Sequence, residues 1–121
     1  MIQIAPQMRI LVAVEPADFR RGIDGMAALC RQRLNADPFT GTVFVFCNRR
    51  RTGLRLLTYD GQGFWLAYKR FSSTRLRHWP KAIDQVAVVL QAHELQVLLF
   101  GGDPGATGAA PVWRMINVPA S

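Results

Sequence analysis

Three β-type runs, at residues 42–47, 54–59 and 63–69, follow one another with only short gaps between them. The first is β-branched and aromatic, with Val43, Phe44, Val45 and Phe46 in succession, the composition that suits a pleated surface. Asp60-Gly61 separates the second run from the third. That dipeptide is a strong hairpin signal, because a type I′ turn needs positive φ. The first and second runs are joined by Asn48-Arg49-Arg50-Arg51-Thr52-Gly53, a longer and highly charged hairpin loop. The three runs therefore read as a β-meander.

Other elements surround the meander. Residues 8–14 form a short β-like run ended by Glu15-Pro16. Met26, Ala27, Cys30 and Leu34 recur at three- and four-residue steps, the helical period, with Phe19 and Ile23 extending the stripe backwards. Asp18 and Asp24 are both candidate N-caps for this helix. Asn35 and Asp37-Pro38 end it. Residues 85–90 are a further β-like run, and residues 91–100 read as a shorter helix whose apolar side is Leu95, Leu98 and Leu99. The fold class expected is α+β, a small single domain with an antiparallel β-meander packed against one long and one shorter helix. Residues 1–101 form the compact domain in this reading. Residues 102–121 form a Gly/Pro/Ala-rich linker and a tail containing Trp113 and Met115, either an added strand or a loosely held end.

Composition narrows the class. Half of the 121 residues are hydrophobic, enough for a core without disulfides or a structural metal. Cys30 and Cys47 stand alone in apolar runs and read as buried free thiols, which fits a reducing cytoplasm. Residues 1–14 lack the features of a signal peptide. No apolar run approaches the ~20 residues that span a bilayer. A cytoplasmic protein with no membrane partner is expected.

The formal net charge is +7, and 13 of the 15 basic residues are arginine. Arginine presents a planar fork that suits phosphate and base acceptors. Residues 49–81 hold nine basic groups against one acid, Asp60, a surplus of eight; the rest of the chain has six basic and seven acidic groups. In an up-and-down meander alternate turns lie at the same end of the sheet. Arg49, Arg50 and Arg51 precede the second strand, and Lys69 and Arg70 finish the third. They are expected to share a pole, with Asp60 at the opposite one. Arg55, Arg75 and Arg77 extend the candidate nucleic-acid-binding set. Such a pole tracks phosphates, and cations held together repel one another until a polyanion arrives. Trp65, Tyr68 and Trp79 have two readings, core packing and base stacking.

The motifs carry a resemblance. Asp18-Phe19-Arg20-Arg21-Gly22-Ile23-Asp24-Gly25-Met26 resembles the signature Asp-x-Arg-Lys-Gly-x-Asp-Gly-Leu. Asp37-Pro38-Phe39-Thr40-Gly41, Phe44-Val45-Phe46-Cys47-Asn48-Arg49-Arg50, Tyr59-Asp60-Gly61-Gln62-Gly63-Phe64, Lys69-Arg70 and His78-Trp79-Pro80 follow in the order of the same family. It is the accessory transposition protein TnpB, the product of the second open reading frame (Orf-two) of insertion-sequence-sixty-six elements. The resemblance covers about residues 9–99. Arg21 stands where the family often has Lys, Met26 stands for Leu, and the tail after residue 101 is longer than the family pattern. The resemblance implies a part in transposition beside a separate transposase, and supplies no catalytic residue. Asp18, Arg20, Arg21, Gly22, Asp24 and Gly25 have two readings. In one they cap and tighten the helix start, with Arg20 or Arg21 paired to an aspartate. In the other they form a partner surface.

No enzyme is expected. A two-metal phosphodiesterase needs converging carboxylates, but Asp37 and Asp60 have local duties in turns. No phosphate-binding Gly-x-x-x-x-Gly-Lys loop exists. His78 and His93 lack Cys or Asp partners at ligand spacing. No cofactor, metal or small-molecule substrate is implied. The expected function is a non-catalytic accessory protein of a bacterial insertion sequence that binds DNA through an Arg-rich hairpin pole. The alternative is a protein adaptor for the transposase or another element-encoded subunit, with Trp65, Trp113 or Met115 as apolar anchors.

Overall fold

All five residues of the strand Val43–Cys47 are buried, as its unbroken apolar run requires of a strand covered on both faces. In the computed structural model, which describes residues 5, 7–73 and 75–106, that strand is the middle of a five-stranded sheet. In chain order the strands are β1 (Ile10–Ala13), β2 (Val43–Cys47), β3 (Gly53–Tyr59), β4 (Phe64–Arg70) and β5 (Ala87–Leu90), and the helices are α1 (Ile23–Leu34) and α2 (Ala92–Leu99). The order across the sheet is β4-β3-β2-β1-β5. The meander β2-β3-β4 is antiparallel, as expected. β1 joins β2 in parallel and β5 closes on β1 antiparallel, so the sheet as a whole is mixed.

Side chains alternate across the sheet, so each face acquires its own core. On one face Ile10, Val12, Val43, Val45, Leu54 and Leu56 pack with Leu95 and Leu98 of α2 and with Leu76 and Trp79 from the loop after β4. On the other, Phe44, Phe46 and Leu57 pack with Met26, Ala27, Leu29 and Cys30 of α1. The fold is α+β, a sheet with the longer helix on one side and the shorter on the other.

Local chemistry sets the element ends. The N-cap of α1 is Gly22, with no side-chain cap, so neither Asp18 nor Asp24 fills that role. Asp18 is engaged by Arg20 instead, and Asp24 lies in the first turn. The helix ends at Asn35, whose left-handed φ of 54° stops it. Asp37 caps a 3₁₀ turn, Pro38–Thr40, by accepting the Phe39 N–H. At the β3–β4 hairpin, Asp60 N–H donates to the Gly63 carbonyl. Only Gly61 takes positive φ, at 96°. The turn therefore centres on Gly61-Gln62 with the II′ pattern, and not on Asp60-Gly61 as type I′.

α2 begins with a capping box: the Gln91 N–H donates to Glu94 Oε1 at 2.8 Å, and the Gln91 side chain accepts in return. Past α2, the Gly102 N–H donates to the Val97 carbonyl and a second 3₁₀ turn follows at Pro104–Ala106. Cys30 and Cys47 are free and buried. Burial pushes the Cys30 thiol up to about 12 and the Cys47 thiol up to about 11. The expected strand or tail near Trp113 and Met115 lies outside the described residues.

Candidate nucleic-acid interface

The Arg tip is braced by one asparagine. Asn48 Oδ1 accepts the N–H groups of Thr52 and Gly53 at 2.9 and 3.2 Å, and its Nδ2 donates to Thr52 Oγ1 at 2.9 Å. The Arg51 N–H returns to the Asn48 carbonyl at 3.0 Å. Closing so tight a loop puts Arg51 in the left-handed region at φ 61°, where a side chain is disfavoured. Gly53 then lets Tyr68 lie close. A Cβ there would stand 2.8 Å from Tyr68 Cε1.

Sheet register brings the other basic residues to this tip. Gly53 faces Arg70 and Leu54 faces Lys69. The Phe71 N–H donates to the Thr52 carbonyl and the Leu76 N–H to the Arg51 carbonyl, each at 2.8 Å. The latter bond carries Arg75 and Arg77 to the same end. Trp79 Nε1 then donates to the Ala13 carbonyl at 2.7 Å, tying the loop to the end of β1. Arg49, Arg50, Arg70, Arg75 and Arg77 are exposed there, and Arg51 is half-buried. Among the described residues, no carboxylate forms a salt bridge with any of the six. Asp60 lies at the far end of β3. It accepts from Gln62 N–H, Gly63 N–H and Trp65 Nε1, which hold its carboxyl below the ordinary range.

Two members of the candidate set are occupied elsewhere. Lys69 and Arg70 are neighbours on a strand, so their side chains leave on opposite faces. Lys69 goes to the α2 side, where Nζ donates to the Leu99 carbonyl at 2.6 Å and sits over the rings of Phe71 and Phe100. It serves the last turn of α2, whose carbonyl end favours a cation. Arg55 points to the α1 side. Its guanidinium lies 4.6 Å from the Phe19 ring centre and 5.3 Å from that of Tyr68, and donates to the Arg21 carbonyl at 2.7 Å. Its Nε is buried with no hydrogen-bond partner among the described residues.

The aromatics divide in the same way. Trp79 is only 5% exposed and belongs to the core. Trp65, 54% exposed, sits beside Asp60 at the end away from the Arg tip. Tyr68, 52% exposed, is the one of the three that is both open and next to the tip.

Sequence reasoning did not find the groove beside the tip. The Ala17 N–H donates to the Cys47 carbonyl at 2.8 Å, which extends the β1–β2 pairing past the strand ends and lays residues 16–20 alongside residues 48–50. Between them is a groove of about 720 Å³ lined by residues 16–20 and by Asn48, Arg49 and Arg50. Arg20 Nε and Nη2 donate to the Asp18 carboxylate at 2.9–3.2 Å, and the Arg20 backbone N–H donates to Oδ1 at 2.9 Å. The side-chain bond from Arg20 is the main reason the Asp18 carboxyl falls to about 2, and Asp18 in turn raises the arginine. Parallel pairing of β1 with β2 creates this neighbourhood, and no local sequence signal announces which strands will pair in that way.

The profile of the family described as IS66 Orf2 like protein matches residues 8–108. The chain belongs to that family. Two proteins of Sinorhizobium fredii (strain NBRC 101917 / NGR234) are similar along most of their length. The one designated y4jC is 36% identical over 118 residues, covering 98% of this chain and 99% of its own. The one designated y4hO is 31% identical over 103 residues, covering 85% and 88%. No solved structure matches.

In IS66 Orf2 terms, the blocks noted in the sequence now have positions. The Asp18–Arg20 pair forms one wall of the groove, and Asn48-Arg49-Arg50 forms the other. Gly25 is needed for close approach, since a Cβ there would meet the Arg21 Cβ at 2.9 Å; Gly22 has open space around it and no such duty. Asp24 is exposed. The family is one of insertion-sequence accessory proteins, consistent with an accessory role in transposition. Among the described residues no helix is long and apolar enough to cross a membrane.

Proposed function

We propose that this IS66 Orf2 like protein acts in transposition as a non-catalytic DNA-binding accessory subunit, gripping the phosphate backbone with the pole formed by Arg49, Arg50, Arg51, Arg70, Arg75 and Arg77. The observation that supports the reading is that the Leu76–Arg51 backbone bond and the Gly53–Arg70 register bring the segments carrying these arginines to one end of the sheet, with no carboxylate in salt-bridge contact with them among the described residues. A pole of that kind gains from a polyanion both by direct attraction and by relief of its own repulsion. Lys69 and Arg55 contribute indirectly. One anchors α2 and the other holds the segment after β1 in place.

The test is a salt titration of binding to a fluorescent transposon-end duplex and to a scrambled duplex. If ~5 phosphates are neutralised, log affinity falls against log salt with a slope of about −4 to −5. The triple variant Arg49→Ala/Arg50→Ala/Arg51→Ala then flattens the slope by about 2 to 3. A salt-independent or absent interaction refutes the reading.

A second role is supported by the opposite end of the sheet. Trp65 is half exposed there, and Phe39, also half exposed, leads a ring cluster with Tyr59 and Phe64. Aromatic groups of this kind anchor protein interfaces, and a protein partner of the transposition machinery would dock at this end while the basic pole holds DNA. Co-purification with the transposase in high salt, lost on Trp65→Ala, is the expected result. Retention unchanged by Trp65→Ala removes this anchor.

A further inference from the structure

The groove beside the Arg tip brings three guanidinium side chains and one carboxylate to its walls: Arg20, Arg49 and Arg50, with Asp18. Arg49 and Arg50 are exposed and without a carboxylate partner among the described residues. Arg20 is held by Asp18 although its side chain is 91% exposed. An ion pair that open to water is weakly held, because solvent screens it. A phosphodiester offers Arg20 an acceptor of similar geometry, so the exchange from carboxylate to phosphate is nearly balanced. Asp18 does not swing away when that happens, because the Arg20 backbone N–H pins its Oδ1 at 2.9 Å. Its charge stays in the groove and opposes the incoming anion.

Resting on the DNA-binding reading above, we propose that the groove between residues 16–20 and 48–50 is a phosphodiester subsite in which Asp18 is a built-in competitor, holding Arg20 in the free protein and weakening sequence-indifferent attachment to nucleic-acid backbone. The aspartate is thus a specificity-determining residue. It lowers the attraction that any phosphate chain exerts, and leaves a larger share of the binding energy to whatever contacts discriminate one DNA site from another.

Asp18→Asn tests this with little structural disturbance, because the asparagine oxygen still accepts the Arg20 N–H. The probe is a short fluorescent scrambled duplex, followed by anisotropy across a salt series, with thermal unfolding confirming that each variant is folded. Asp18→Asn is expected to tighten binding about 3- to 10-fold near 0.1 M salt and to steepen the salt slope by about 0.9, one further phosphate neutralised. In an Arg20→Gln background the gain shrinks and the change in slope vanishes, since the freed cation is gone. Wild-type protein that binds with a steep salt slope, while Asp18→Asn binds equally or more weakly, overturns the subsite and leaves the DNA-binding reading standing. If neither protein shows salt-dependent binding, both fall together. A gain from Asp18→Asn that is the same with and without Arg20 also overturns the competitor role, because it reduces Asp18 to one unit of net charge.

Discussion

The backbone carbonyl of Arg51 accepts the N–H of Leu76 at 2.8 Å, and the Leu76 side chain is buried at 3% exposure. One residue thus both seats the loop after β4 in the core and hangs Arg75 and Arg77 beside the Arg tip. Leu76→Ala is expected to lower stability by about 2–5 kcal/mol, the cost of a cavity at a buried leucine. A urea midpoint unchanged from wild type would show that this anchor does not hold.

Gly53 has little room for a side chain. A methyl group there meets the Tyr68 ring at 2.8 Å and the Lys69 carbonyl at 3.1 Å. Gly53→Ala is expected to cost about 1–3 kcal/mol through displacement of β4 against β3. Adding Tyr68→Ala removes the closest obstacle and recovers part of the loss in denaturant unfolding. If the double variant is as unstable as the sum of the two single ones, the ring is not the source of the strain.

Arg51 sets stability against binding. Its φ of 61° disfavours a side chain, and glycine accepts that conformation at no steric cost. Arg51→Gly is expected to leave thermal stability unchanged or to raise it by up to about 1 kcal/mol, after the entropy lost by the glycine is counted. DNA affinity falls at the same time. A clear loss of stability would mean that the Arg51 side chain has a packing role its geometry does not reveal.

Glu94 makes stability depend on pH. Its carboxylate is buried; Oε1 accepts the Gln91 N–H, and Oε2 has no hydrogen-bond partner among the described residues. Burial pushes its carboxyl above the ordinary value of 4.5. A group whose folded pKa is raised stabilises most while protonated, so the contribution is full below 4.5 and is lost as pH rises through the folded value. Asp18 and Asp60 act in the opposite sense, in a separate window. Their carboxyls are lowered from 3.8, so their contribution is present above that value and fades in stronger acid. Glu94→Gln keeps the acceptor for Gln91 and removes the charge. Its stability relative to wild type is expected to rise as the pH is taken from 4.5 towards neutrality. A difference that stays constant with pH would contradict the burial argument.

Much of the architecture is written in local patterns. The unbroken run of Val43 to Phe46, the stripe of Met26, Ala27 and Cys30, and the apolar side at Leu95 and Leu98 each mark an element whose environment the structure confirms. Local signals do not say which strands become neighbours, so the parallel seat of β1 beside β2 and the groove it opens were not legible. The same limit applies to side-chain destinations. Lys69 and Arg70 are adjacent in sequence and share a strand end, yet strand alternation sends one to the carbonyl end of α2 and leaves the other exposed on the opposite face. Arg55 counts as a cation in the sequence, but two rings and a carbonyl hold it. The turn at residues 60–63 shifted by one residue because the Asp60 carboxylate serves Gln62, Gly63 and Trp65 and its backbone stays at negative φ.

The cross-bracing of the Arg tip by Asn48 has one further consequence. A floppy cationic loop must surrender its conformational freedom on meeting its target, and that loss is subtracted from affinity. Here folding has already fixed the backbone through the bonds that Asn48 makes to Thr52, Gly53 and Arg51. The tip arrives preorganised, so only its long side chains remain to be ordered on contact.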